Sequence, residues 1–297
     1  MSVGPIEYEV LEPLREIRFH LEPTDVQPIA FDWTFRASVP AHMEDRERRR
    51  SREPSGPDED LVRYHQVGVP SGWVEVDGER HEIDPGAWFS SRDHSWGVRQ
   101  DVGVPAGDAD DRQGPDGLSV LVIWSPMLLE RPDGSCYGLH HYLQSVSMPG
   151  YERDRFQANV EHADGRREAL SGVVPDLRFD PDNRRLLGGT LGFTMPDGTA
   201  RPVGIEAVSD TGFHLGTGLY FGFDGHYHGE NRGPLHVDGE HIADCSLPEV
   251  ARRVHQLREC VVRVEDPVGE GRGWGTVQTV VTGAHPGMGL DADTSFI

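Results

Sequence analysis

Residues 90–99 read SSRDHSWGVR and place Arg92, Asp93, His94, Trp96 and Arg99 in one short span. These side-chain types can do acid–base chemistry. An imidazole takes and gives protons near neutral pH. An indole wall desolvates a neighbouring carboxyl and raises its pKa, so the acid keeps its proton at pH 7. A guanidinium can orient a substrate or polarise its carbonyl. In an extended segment Asp93, Ser95, Gly97 and Arg99 share one face, and Arg92, His94, Trp96 and Val98 share the other. The same set also suits a structural role, with Asp93 and Arg99 pinning strands and Trp96 filling the core.

A second set is rich in histidine. GLHHYL carries His140 and His141, and DGHYHGE carries His226, His228 and Glu230. On a strand the last three would share a face suited to a divalent metal. They equally suit a polar hairpin tip after Asp224-Gly225. No HExxH helix or cysteine pair adds to the metal reading, so the expectation is neither metal nor cofactor. Asp108, Asp110 and Asp111 lack the following glycine and distal glutamate of a calcium loop. Cys136, Cys245 and Cys260 stand far apart, which argues against a disulfide framework or a thiolate zinc site. The chain contains no lysine, which excludes Schiff-base and phosphate-loop lysines. GEGRGWG precedes a strand instead of opening a helix, so it is a poor dinucleotide fingerprint.

The elements that must hold these residues are strands. The 297 residues suit two medium domains, and 36 Gly with 22 Pro favour short strands and many turns. In 29–39, Phe31, Trp33, Phe35 and Ala37 alternate with Asp32, Thr34 and Arg36, the pattern of a half-buried strand. Asp77-Gly78 predicts a hairpin that pairs 72–76 with 79–83. Residues 118–128, 136–148, 260–264 and 273–283 read as further strands. The charged stretch 41–60 and the stretch 101–117 read as exposed loops. Gly and aromatics crowd 212–233, which suits a tight barrel. Ser246 and Glu249 form a capping-box pattern with Pro248 in the first turn, predicting one short helix near 247–253. A domain boundary is expected near 170. Five of the six tryptophans (Trp33, Trp73, Trp88, Trp96 and Trp124) lie in the first half, where inward aromatics could line a ligand chamber.

The formal net charge of −22 disfavours nucleic acid and anionic lipid surfaces as partners. The N-terminus lacks a basic segment followed by an apolar one, and no apolar run approaches membrane-spanning length. A cytoplasmic location is the expectation.

Tyr64, Gln66, Gly68, Gly72, Val74, Val76, Asp77 and Gly78, followed by RDHSWGVR at 92–99, resemble the two-domain lipocalin-like superfamily that contains carotenoid 1,2-hydratase. The end of the chain, 273–290, resembles the end of that superfamily's second domain. The resemblance implies an all-β fold of two tandem antiparallel lipocalin-like barrels packed side by side, here 1–170 and 171–297. It also implies relatives that hydrate or cyclise polyene or isoprenoid substrates, with an acidic residue protonating an alkene.

The expected function is therefore a cofactor-independent lyase or isomerase, of hydratase or cyclase type. Its substrate would be a hydrophobic terpenoid, steroid-like or polyketide molecule, held in a largely apolar cavity near the domain junction. The alternative is a non-catalytic carrier of such ligands. Asp93 is the candidate general acid, or the group that tunes one. His94 is the candidate proton shuttle and Arg99 the orienting cation. Trp96 and Trp88 are candidate pocket walls, and Tyr64, Gln66 and Tyr142 candidate binding residues.

Overall fold

The computed structural model describes residues 1–50, 58–99, 116–208, 225–227, 229–239, 241–254 and 258–295. The fold is all-β: two curled antiparallel sheets, packed side by side as two barrel-like halves, with one short α-helix.

The first sheet comprises β1 (Ser2–Val3), β2 (Ile6–Glu12), β3 (Glu16–Leu21), β4 (Ile29–Ala37), β5 (His42–Met43), β6 (Glu47–Arg49), β7 (Glu59–Val76), β8 (Glu79–Ile83) and β9 (Ser90–Val98). The long strand β7 is its spine. One edge of β7 pairs with β4 and then with β5 and β6; the other pairs with β8 and β9. Asp77 and Gly78 both have positive φ, 52° and 79°, as a tight hairpin turn requires, and Val76 pairs with Glu79 as expected.

The second sheet comprises β10 (Ser119–Glu130), β11 (Cys136–Met148), β12 (Tyr151–His162), β13 (Arg167–Ala169), β14 (Gly172–Phe179), β15 (Leu186–Thr194), β16 (Ala200–Ala207), β17 (Arg258–Asp266) and β18 (Gly271–Thr282). Its order is β13-β12-β11-β10-β18-β17-β16-β15-β14, and the curl brings β12 against β14. Its inner face is the main core, including Ile123, Met127, Leu139, Leu191, Phe193 and Val277, all essentially buried. Each such side chain contributes about 1.5–3 kcal/mol by leaving water. One end of this sheet is closed by a buried clasp. Arg201 and the Tyr137 hydroxyl donate to Asp266 Oδ2, and the Gly269 N–H donates to Oδ1.

The change of sheet falls between Val98 and Ser119, because β10–β12 form a meander that pairs with the late strand β18. Two expectations are corrected. The stretch 41–60 is not simply a solvated loop. Its described part forms β5 and β6 on the edge of β7, and His42 and Glu44 are buried. The helix α1 (Pro248–Arg253) forms where expected but without a capping box: Leu247 is the N-cap, and Ser246 bonds Asp244 instead. Residues 101–115, with the aspartates of the calcium reading, and residues 212–224 lie outside the described residues.

The motif strand β9 is fixed by its glycine. Gly97 has φ +128°, and a Cβ there would lie 2.0 Å from the Asp60 carbonyl oxygen across the β7–β9 pairing. Gly97→Ala should therefore destabilise the fold by about 2 kcal/mol or more, read as a lower urea midpoint.

Candidate active site

Strand alternation divides the motif. Pairing of β9 with β7 sets His94 beside Tyr64, and Trp96 beside Val62, on one face. Asp93 beside His65, and Ser95 beside Arg63, occupy the other. Asp93 and His94 are thus not side by side, although they are neighbours in sequence.

On the first face Tyr64 and His94 stack at 5.6 Å and 7°, with Trp96 edge-on to both. Arg92 hydrogen-bonds the Tyr64 hydroxyl. Trp96 is 48% exposed. Gln66 is buried and donates to the Leu14 carbonyl. Trp88 is exposed in the turn after β8, and Arg99 is half-buried just past β9.

The second face packs on the outer face of the second sheet. There, where an apolar chamber was expected, the two sheets enclose a polar layer. His65 is its centre and is fully buried. Its Nδ1 lies 3.0 Å from Glu44 Oε1, and its Nε2 lies 2.8 Å from Glu161 Oε1 on β12. Burial alone would lower the pKa of His65, but the two carboxylates outweigh it and raise it. With a carboxylate oxygen at each ring nitrogen, His65 joins the two sheets. Burial likewise pushes Glu44 up, yet His65, Arg63 and the Trp124 indole N–H together hold it below its ordinary value.

The His140 ring lies flat on His65, with centroids 3.5 Å apart and planes at 18°. Burial, followed by the charge on His65, keeps His140 neutral. Neither of its nitrogens makes a hydrogen bond. Its neighbour His141 points the opposite way, into the second sheet's core against Phe193, and burial lowers its pKa to about 3. Gly138 on β11 permits the close approach of the sheets. A Cβ there would lie 3.2 Å from Val67 and 3.3 Å from Glu161 Oε2.

The layer continues past Arg63, which reaches Glu44 Oε2 at 3.4 Å and Asp93 Oδ2 at 3.8 Å. Across from it, one rib of the second sheet runs through Gln157, Tyr142, Trp124, Gln278 and Glu259, successive register partners on five strands. Tyr142 lies under the Arg155 guanidinium at 5.3 Å. Glu259 ends the rib. Its Oε2 is sealed from solvent and unpartnered. Burial raises its pKa to about 7, with the Asp93 charge adding to the rise and Thr276 and Gln278 opposing it. Glu259 therefore titrates far above an ordinary glutamate, and the Asp93 charge acts on it across the layer.

Among the described residues, Glu44, His65 and His140 bring one donor atom each within 4.8 Å of one another, the spacing a metal ion uses. The other histidine set offers less. His226 Nδ1 contacts Glu230 at 3.1 Å, and His228 lies outside the described residues.

Residues 1–291 match a family of unknown function, DUF8625. The chain belongs to that family. Comparison with curated proteins gives no match. Among solved structures, kievitone hydratase from Nectria haematococca is similar at TM-score 0.47 and 14% identity, over 95% of this chain and 70% of that one. A candidate AttH from Nitrosomonas europaea is similar at TM-score 0.48 and 12% identity, over 91% of this chain and 66% of that one. The likeness to carotenoid 1,2-hydratase stays a resemblance of the motif. Among the described residues no helix is long and apolar enough to cross a membrane.

The residues that sequence reading missed are Glu44, His65, Glu161 and Glu259. His65 could have been found by parity: it alternates with Arg63 and Val67 along an extended run. Glu161 and Glu259 carry no local signal, since their partners lie in distant strands.

Proposed function

We propose that this member of DUF8625 is a cofactor-independent proton-transfer enzyme of hydratase, lyase or isomerase type. It acts on a hydrophobic small molecule at the Asp93–Glu259 end of the layer. The observation that carries the reading is Glu259: a carboxyl with a sealed, unpartnered oxygen, whose burial raises its pKa to about 7 and on which the Asp93 charge acts. A pair of acids whose environments differ divides the roles of acid and base.

In a hydration, the Glu259 proton adds to one alkene carbon, and the π electrons leave the other carbon cationic. The indole of Trp124, the aromatic nearest to Glu259 along the rib, stabilises that cation. Water adds to it, and Asp93 accepts the proton that the water sheds and returns it to Glu259. The Arg63 guanidinium, 3.8 Å from Asp93 Oδ2, orients that carboxyl. An isomerisation uses the same acid, with Asp93 removing a proton from carbon instead. His94, Trp96 and Tyr64, on the opposite face of β9 and β7, are not placed among the reacting groups.

The test begins with native mass spectrometry of the protein after incubation with a lipid extract, which captures the ligand. Asp93→Asn should then lower turnover of that ligand by about 10²-fold with affinity within a few-fold. If both forms bind the ligand equally and no product appears, the protein is a carrier.

A further inference from the structure

The reading above uses Glu259 and Asp93 and leaves a second group of residues without a task. Glu44, His65 and His140 come from three elements, the loop after β5, β7 and β11, and they meet between the sheets. We infer that Glu44 Oε1, His65 Nδ1 and His140 Nε2 bind one divalent ion of the zinc class, which pins the two sheets together. This goes beyond the proposed proton chemistry and does not depend on it.

Four observations carry the inference. The donor set, two imidazoles and one carboxylate, suits zinc-class ions, which take three protein ligands and leave one position open. Glu44 Oε1 already sits 3.0 Å from His65 Nδ1 and 3.5 Å from His140 Nε2, so the three donor atoms lie close together. Glu161 Oε1 accepts a hydrogen bond from His65 Nε2 at 2.8 Å. That carboxylate–imidazole contact is the partner that metal-bound histidines usually have, and it leaves Nδ1 for the ion. Finally, His140 is buried with neither nitrogen hydrogen-bonded. A polar ring so placed is stabilised by any ligand that occupies its lone pair.

The stacking of His65 and His140 sets one requirement. Two parallel rings cannot both aim in-plane lone pairs at a single ion, so the His140 ring must turn about its Cβ–Cγ bond. No hydrogen bond holds it in its stacked orientation. The ion replaces the Nδ1 proton that now lies between His65 and Glu44, at a place where two carboxylates already favour positive charge.

The test is cobalt(II) loading of the chelator-treated protein, followed by visible and X-ray absorption spectroscopy. One equivalent should bind, with a spectrum of oxygen and nitrogen ligands that includes two imidazoles. Glu161→Gln should weaken binding by about 10–100-fold, His140→Ala should abolish the two-imidazole signature, and His226→Ala should change neither. Glu259→Gln should bind cobalt as the wild type does, so failure of the proton reading leaves this result intact. Absence of stoichiometric binding to the wild type, or a spectrum without imidazole, overturns the inference. So does an unchanged two-imidazole signature in a folded His140→Ala protein.

Discussion

Glu259→Gln should lower turnover of the captured ligand by about 10²–10⁴-fold, because the substitution removes the transferable proton and keeps the shape. Affinity should stay within a few-fold. The same variant should be more stable than the wild type above neutral pH, and the sign follows from the direction of the pKa shift. In the folded protein the Glu259 pKa is raised from 4.5 to about 7. Below the unfolded value both states hold the proton and there is no penalty. As pH rises from 4.5 towards 7 the unfolded chain ionises first, so the wild type loses stability. Above 7 the full difference stands, up to about 3 kcal/mol. Glutamine does not titrate, so its advantage should be small at pH 5 and complete at pH 8. Urea midpoints at the two pH values measure it. An equal gap at both would mean that Glu259 is an ordinary carboxylate in the fold.

Asp266→Asn should cost about 3–5 kcal/mol of stability. Asp266 is fully buried and Arg201 is 4% exposed. Asparagine would leave a buried guanidinium without its counter-charge, and would disturb the bonds from Tyr137 and the Gly269 N–H that close the end of the second sheet. The neighbouring pair Arg272–Glu265 is also within hydrogen-bond distance, at 2.9 Å, but its side chains are 83% and 59% exposed. Solvent screens such a pair, and Glu265→Gln should change stability by less than about 1 kcal/mol. The two variants, compared by urea unfolding, separate buried from exposed charge in adjacent residues. Equal losses would contradict the account of the clasp.

Local chemistry explains which parts of this structure could be read from sequence. The Asp77-Gly78 hairpin was legible because its turn type demands those residues, and the pairing of Val76 with Glu79 follows from it. The strands at β4, β10, β11 and β18 were legible from alternation and from long apolar runs. The sheet assignment was not, because the pairing of β10 with β18 joins residues more than a hundred positions apart, with no local signature. The site was partly legible. Asp93 and Tyr142 both face the layer between the sheets, and strand parity already separated Asp93 from His94. Glu44 was hidden within a charge-dense stretch that resembles a solvated loop. What buries it is Arg63, His65 and Trp124, and none of these is near it in sequence. Glu259 sits in an unremarkable strand, and only the packing of the sheets makes it unusual.

The most direct measurement is a ¹³C titration of the Glu259 carboxyl in the intact protein, with its resonance identified by its loss in Glu259→Gln. The account predicts a midpoint near 7, falling in Asp93→Asn as a neighbouring negative charge is removed. A midpoint near the ordinary value of 4.5, indifferent to Asp93, would contradict it.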